Sequence, residues 1–394
     1  MLKTIQTLAT KVYPEVIDFR RRLHQHPELS FEEHETTRFI CKQLEKHGVH
    51  YDLSYSDTGV VALLEGTNKS KNCIALRADI DALPIVENTG LPFASKHEGI
   101  MHACGHDVHA ASLFGALLIL NELKDDFQGS IKLIFQPGEE LLPGGASVMI
   151  KNGVLENPKV DKIFGQHVFT ELPVGMVGFR PGLYMASADE LHTTITGRGG
   201  HAALAKDLRD PIVAMNHLLI ELRKNIAAHN ENDIPSVIGF GQIKADGATN
   251  IIPDVVKIKG TFRTMQEDWR MKAHEIMTKT ATEVADRFDV TIDLGIKKGY
   301  PCLLNDEQVT LEAKKLAVEY LGEENVVDLP IRMSSEDFSF YTHNAAGCFY
   351  RLGTSNSPDD LSTPVHTSTF QVNEQALKIG SGLMAWIAYN QARK

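Results

Sequence analysis

A chain of 394 residues is long enough for roughly two to three domains of ~150 residues, which excludes a minimal scaffold stapled by disulfides. Its 43% hydrophobic and 23% charged residues are the composition of a chain that folds throughout, not of a disordered or fibrous one. Forty Lys and Arg against 51 Asp and Glu leave a formal charge of -11, which disfavours nucleic acid and anionic membrane surfaces as partners.

Residues 13–24 place Val16, Phe19 and Leu23 at helical spacing, with Pro27 as a stop. Residues 36–47 repeat the pattern with Phe39, Ile40 and Leu44, and Gly48 serves as a C-terminal cap. Short, nearly continuous apolar runs follow at 60–64, 73–76, 131–135 and 162–164, separated by helical stretches at 108–123 and 146–151. Buried strands alternating with helices predict an α/β fold with a largely parallel central sheet. From residue 187 the texture changes to strand 191–196, helix 211–227, strands 237–243 and 255–262, helix 269–288 and strand 290–294. This β-α-β-β-α-β order predicts an inserted ferredoxin-like lid and dimerisation domain over 187–295. The main domain, made of both chain ends, is then 1–186 with 296–394, completed by helix 307–321, strand 347–352 and helix 374–388.

The five cysteines are odd in number, widely spaced and without a C-x-x-C pair, so no disulfide framework is expected. The N-terminus lacks an apolar signal-type run, and apolar stretches such as 116–120 are too short for a membrane span. A reducing, cytoplasmic location is the expectation.

In open α/β sheets, ligands bind beyond the carboxyl ends of the strands. Run 73–76 leads into Arg77, Asp79 and Asp81, run 131–135 into Gln136-Pro-Gly-Glu139-Glu140, and run 162–164 into His167. Between the first two lies H-A-C-G-H-D-V-H at 102–109. A thiolate, imidazoles and carboxylates delivered to one rim form a zinc-type donor set. Taken singly, Cys104 reads as a small buried hydrophobe, His106 and His167 as hydrogen-bonded structure, and Glu139-Glu140 as a solvated pair; their concurrence favours a metal. His109, one turn beyond His106 on an apolar helix, suits the core or outer support equally, and Asp107 reads as that helix's cap.

The motifs R-A-D-I-D-A-L-P, H-A-C-G-H-D-V-H, P-G-E-E, G-R-G-G-H-A-A, T-N-I-I-P-D, G-T-F-R-T, S-S-E-D-F and P-V-H-T occur in this order between Arg77 and Thr367, within a likeness that runs from about Arg20 to the C-terminus. The series resembles the dinuclear metallo-amidohydrolase and carboxypeptidase family that includes aminoacylases, hippurate hydrolase and plant auxin-conjugate hydrolases. The resemblance implies that Cys104, His106, Glu140, His167 and His366 bind two divalent metals per subunit, with Cys104 where many relatives place a bridging Asp. The thiolate favours zinc, with manganese, cobalt or nickel tolerated. Glu139 corresponds to the general base and Asp81 to a carboxylate orienting a metal ligand. In the lid, His201 and Asn250 correspond to donors for the tetrahedral oxyanion, and Arg263 to a fork gripping the substrate carboxylate.

The implied reaction is hydrolysis of the amide bond of N-acyl-L-amino acids or short C-terminal peptides by metal-activated water, with a narrow deacetylase or hippurate-type hydrolase as the alternative within the family. The implied assembly is a homodimer or homotetramer through the lid, with His201 reaching the metal centre of the partner subunit. Relatives commonly place Pro and a polar residue after His201-Ala-Ala, whereas Leu204-Ala205-Lys206 stands here, so the loop departs from the pattern. Two other classes compete. A cysteine hydrolase using Cys104 leaves Glu139-Glu140 and the other histidines unexplained, and a non-catalytic metal-dependent binding protein has no use for Glu139 or Arg263.

Overall fold

The computed structural model describes residues 1–67, 72–356 and 364–393. They divide into two units, Met1–Tyr184 with Leu304–Pro330 and Asp337–Lys394, and Met185–Leu303 with Ile331–Glu336.

In the first unit the sheet runs in the order Tyr51–Asp52, Val60–Glu65, Ser130–Gln136, Cys73–Asp79, Lys162–Pro173, Ala346–Ser355, Val177–Phe179, Val326–Asp328. The four strands from Ser130–Gln136 to Ala346–Ser355 are parallel, and antiparallel strands flank them. Burial on both faces explains the unbroken apolar runs: every residue of Cys73–Asp79 is buried. The register sets Asp79 opposite Gln136 and Arg77 opposite Gly165, and His167 follows two residues beyond Gly165. Asp79, the turn after Gln136, and His167 therefore emerge at one end of the sheet.

Helices Leu2–Gln25, His106–Glu122 and Gln375–Ala392 pack against one another. The central one is buried at every position from His106 to Leu120, which is why it is apolar all round rather than on one stripe. The first helix starts at Leu2 rather than at 13, because Ile5, Ala9 and Val12 extend the buried stripe of Val16 and Phe19 backwards. No helix among the described residues is long and apolar enough to cross a membrane. All five cysteines are buried thiols outside any disulfide.

The second unit holds an antiparallel sheet in the order Ser236–Lys244, Val255–Thr264, Asp189–Thr196, Thr291–Lys298. Leu191, Ile195, Val256, Ile258 and Phe262 pack with Leu218, Leu222, Met277 and Val284 of helices Pro211–His229 and Glu267–Phe288. Asp210 caps the first of these helices by accepting the Ile212 amide at 2.8 Å, with Pro211 in the first turn. Strands Gly200–His201 and Ile251–Ile252 form a separate two-stranded ribbon.

Candidate metal centre

Gly105 takes the left-handed conformation (φ 82°) just before helix His106–Glu122, and a Cβ there would lie 2.7 Å from Val168 Cγ2. This turn brings Cys104 and His106 together with His167, their donor atoms all within 4.8 Å of one another. A second group, Cys104, Glu140 and His366, meets the same limit of 4.8 Å and shares the Cys104 sulfur with the first. The His366 amide donates to Ala103 O at 2.7 Å, which docks this distant segment beside Cys104, and His366 itself has φ 63°. His366 Nε2 lies 3.3 Å from Cys104 Sγ, and His167 Nε2 lies 3.5 Å from the same sulfur.

Outer contacts fix which ring nitrogens face inward. His106 Nδ1 is 3.0 Å from Asp81 Oδ1, while Asp81 Oδ2 accepts the Ser30 hydroxyl at 2.7 Å and the Glu140 amide at 2.9 Å. His167 Nδ1 donates to Val168 O at 2.8 Å. His109 has both nitrogens engaged, Nδ1 with Asp79 at 2.5 Å and Nε2 with the Val168 amide at 2.8 Å, so it supports the site rather than lining it. Asp107 does not cap the helix. Its Oδ2 accepts from Arg20 Nε at 2.8 Å and lies 2.8 Å from His24 Nδ1, because Gly105 takes the capping position and Asp107 falls inside the first turn.

Glu139 is buried and its Oε1 accepts the Asp337 amide at 3.3 Å. Asp337 is itself held by Arg77 Nη2 at 2.6 Å, Gln136 Nε2 at 2.8 Å and the Ala146 amide at 2.9 Å. Atoms of His106, Glu139 and Glu140 form a further group within 4.8 Å. The sequence placed Asp79 at a strand end without giving it a role, and gave none to Asp337 or Ser30. The D-I-D alternation after a buried strand is the one local signal that points to Asp79.

The electrostatics suit a bound cation. Burial, with Arg351 adding to it, pushes His167 well below the ordinary histidine range, so its ring is neutral as a metal ligand must be. Burial alone would do the same to His106, but Asp79, Cys104 and Asp81 outweigh it and hold that imidazole well above its usual value. Contacts with Cys104 and then Glu140 push His366 up to about 10. Negative groups thus favour protons on the His106 and His366 rings. Two buried atoms, His106 Nε2 and Glu140 Oε1, have no hydrogen-bond partner among the described residues, a cost of ~1–3 kcal/mol each. His366 Nε2 is 3.2 Å from Glu140 Oε1 without hydrogen-bond alignment, as two ligands facing a common ion would be. Sulfur, imidazole and carboxylate donors in two groups sharing one thiol fit a pair of divalent metals. Burial, then Glu140, push the Cys104 thiol up, opposite to what a thiolate nucleophile needs.

In the second unit, His201 lies on the ribbon opposite Ile251, and the Ala202 amide donates to Asn250 O at 3.0 Å, so His201 and Asn250 are neighbours. Both are exposed. The departing loop contains a short 3-10 turn, Ala205–Asp207. Arg263 sits on strand Val255–Thr264 and donates to Met333 O at 3.2 Å and Ser335 Oγ at 3.4 Å, with burial lowering its pKa.

A buried thiol, imidazole and carboxylate cluster with an adjacent glutamate defines a metal-dependent hydrolase. Residues 75–390 match the description "Peptidase family M20/M25/M40", and the chain belongs to that family. It is 38% identical over 92% of its length to N-acetyl-L-cysteine deacetylase of Bacillus subtilis (strain 168), of which it covers 85%. It is 35% identical to thermostable carboxypeptidase 1 of Saccharolobus solfataricus, covering 96% of each chain. The crystal structure of a Bacillus subtilis dinuclear metal binding peptidase of the M20 family superposes with a TM-score of 0.81, at 35% identity over 97% of this chain and 98% of that one. The cysteine-hydrolase and binding-protein alternatives are not favoured by these relationships.

Proposed function

We propose that this chain hydrolyses the amide bond of N-acyl-L-amino acids or short C-terminal peptides, with zinc ions held by Cys104, His106, Glu140, His167 and His366. The observation carrying this reading is the pair of donor groups joined at Cys104, beside the buried carboxylate of Glu139. Two divalent metals there would supply a polarised amide carbonyl and a water acidified toward pKa ~7. Glu139 receives the water's proton and delivers it to the leaving amine, its Oε1 aimed by the Asp337 amide. Asp81 holds His106 in the orientation that turns Nε2 inward. His201 and Asn250 are assigned as oxyanion donors, and Arg263 as the bidentate partner of the substrate carboxylate.

The assembly is a homodimer or homotetramer formed through the second unit, and five buried cysteines outside any disulfide support a reducing, cytoplasmic setting. Hydrolysis of a panel of N-acetyl, N-benzoyl and indoleacetyl amino acids and dipeptides tests the function, on enzyme stripped with chelator and reloaded with zinc, manganese or cobalt. N-acetyl amino acids head the panel because of the deacetylase relative. Activity should vanish on stripping and return with metal. Turnover that survives stripping rejects the metal role, and metal binding without turnover on the whole panel leaves a binding protein.

A further inference from the structure

The turn that carries Glu139 and Glu140 is held from outside by a segment near the N-terminus that none of the assigned roles uses. Gly138 has φ 60°, and a Cβ there would lie 2.5 Å from the Phe31 ring, so the turn rests directly on that side chain. Phe31 is itself in the left-handed region at φ 66°, which bends the segment toward the turn. Glu33 follows at the N-terminus of helix His34–Lys46, yet its side chain makes no capping bond to that helix. Instead its Oε1 accepts the Gly138 amide at 2.8 Å and its Oε2 accepts the Thr58 hydroxyl at 2.7 Å, with the residue 0% exposed. Ser30 of the same segment bonds Asp81, which takes the Glu140 amide.

We propose that Glu33 is a positioning residue whose side chain clamps the Pro137-Gly138 turn and thereby fixes where Glu139 and Glu140 stand relative to the metal-binding residues. The two turn amides at 138 and 140 are each taken by a buried carboxylate, Glu33 for one and Asp81 for the other. Burial, reinforced by the nearby Asp81 charge, pushes the Glu33 carboxyl up to about 7. A group that costly to bury is an expensive way to hold a loop that any apolar side chain could fill, and what it adds is an acceptor aimed at the Gly138 amide.

The inference rests on Glu139 and Glu140 acting as the proposed function has them, and its test separates the two. In metal-loaded full-length enzyme, Glu33→Gln keeps an oxygen for the Gly138 amide and can donate to the Thr58 hydroxyl, so kcat should stay within about threefold. Glu33→Met fills a similar volume without an acceptor, and kcat should fall about 10- to 100-fold with KM within about threefold. Affinity for the weaker-binding cobalt ion, read from its absorption without substrate, should fall about tenfold in the Met variant and hold in the Gln variant, because Glu140 rides on the same turn. A Met variant with wild-type kcat and cobalt affinity overturns the clamp, as does a Gln variant as damaged as the Met one. If the Met variant fails to fold, the folded Gln variant decides: retained cobalt affinity supports an acceptor, and lost affinity overturns it. Wild-type enzyme inactive on every substrate would reject the hydrolase reading, while the cobalt titrations would still judge the clamp.

Discussion

Glu139 and Glu140 are chain neighbours with opposite surroundings. The first is buried and receives the Asp337 amide on Oε1; the second has an Oε1 without a hydrogen-bond partner among the described residues, beside His366. A carboxylate oriented by a donor suits proton transfer, and one left bare among imidazoles suits a metal. Glu139→Gln keeps the acceptor that Asp337 needs, so metal content should remain near wild type while turnover drops by ~10² to 10⁴. Glu140→Gln should instead lose metal on dialysis and recover part of its activity in excess metal. Metal analysis beside steady-state rates checks both, and reversed phenotypes would exchange the two assignments.

At the scale of elements, the second unit is tied together by one buried acid. Asp189, at the start of strand Asp189–Thr196, receives Arg270 and His274 of helix Glu267–Phe288 and the Gly299 amide at 3.0 Å. Burial raises its pKa, but the bonds to His274 and Arg270 outweigh it and leave the carboxyl at about 2, below the usual 3.8. A depressed carboxyl stabilises the fold fully above its unfolded pKa, and that contribution fades as pH falls through the folded value. Asp189→Asn should therefore unfold at lower urea than wild type at pH ~6, with the gap closing toward pH ~2. Urea midpoints across that range measure it, and a gap that stays constant would contradict the assignment.

The cores of the long elements were legible because each carries its own pattern: the apolar run at 73–76 and the stripe of Val16, Phe19 and Leu23 need no knowledge of partners, whereas the first half of helix Leu2–Gln25 went unread. Strands Val177–Phe179 and Val326–Asp328 are too short for any periodicity to register. Asp107 was misread because its partner Arg20 is 87 residues away, and nothing local distinguishes an acid that caps from one that pairs across the core. The same blindness hid Glu33, whose bond to Gly138 spans 105 residues. His167 and the Glu139-Glu140 pair could be read from strand ends, and Cys104 and His106 from the helix entry between two of them. His366 could not, since its place beside Cys104 depends on a backbone bond to Ala103 from a far segment, and only family resemblance singled it out.

For the whole molecule, the question is what covers the sheet of the second unit. Its strand Thr291–Lys298 ends in exposed Lys297 and Lys298, a charged edge that discourages pairing. The opposite edge, Ser236–Lys244, exposes Val237 and Ile243, at 43% and 51%, and is the edge proposed for a second copy to join, a prediction to be tested. In such a dimer the resemblance has each active site combine Glu139 of one chain with the partner's His201. His201→Ala and Glu139→Gln homodimers should then both be nearly inactive, and co-refolding them should restore activity. In a heterodimer, the site built from the intact Glu139 of one chain and the partner's His201 is wholly wild type, while the other site carries both changes. Random pairing makes about half of the dimers mixed, so activity should recover to about a quarter of wild type. If His201 serves its own chain, every site in the mixture keeps one defect and activity stays at the level of the single variants. A fully active monomer by sedimentation would also end the shared-site model, and the Leu204-Ala205-Lys206 stretch beside His201 is the part of the chain that would then account for the difference.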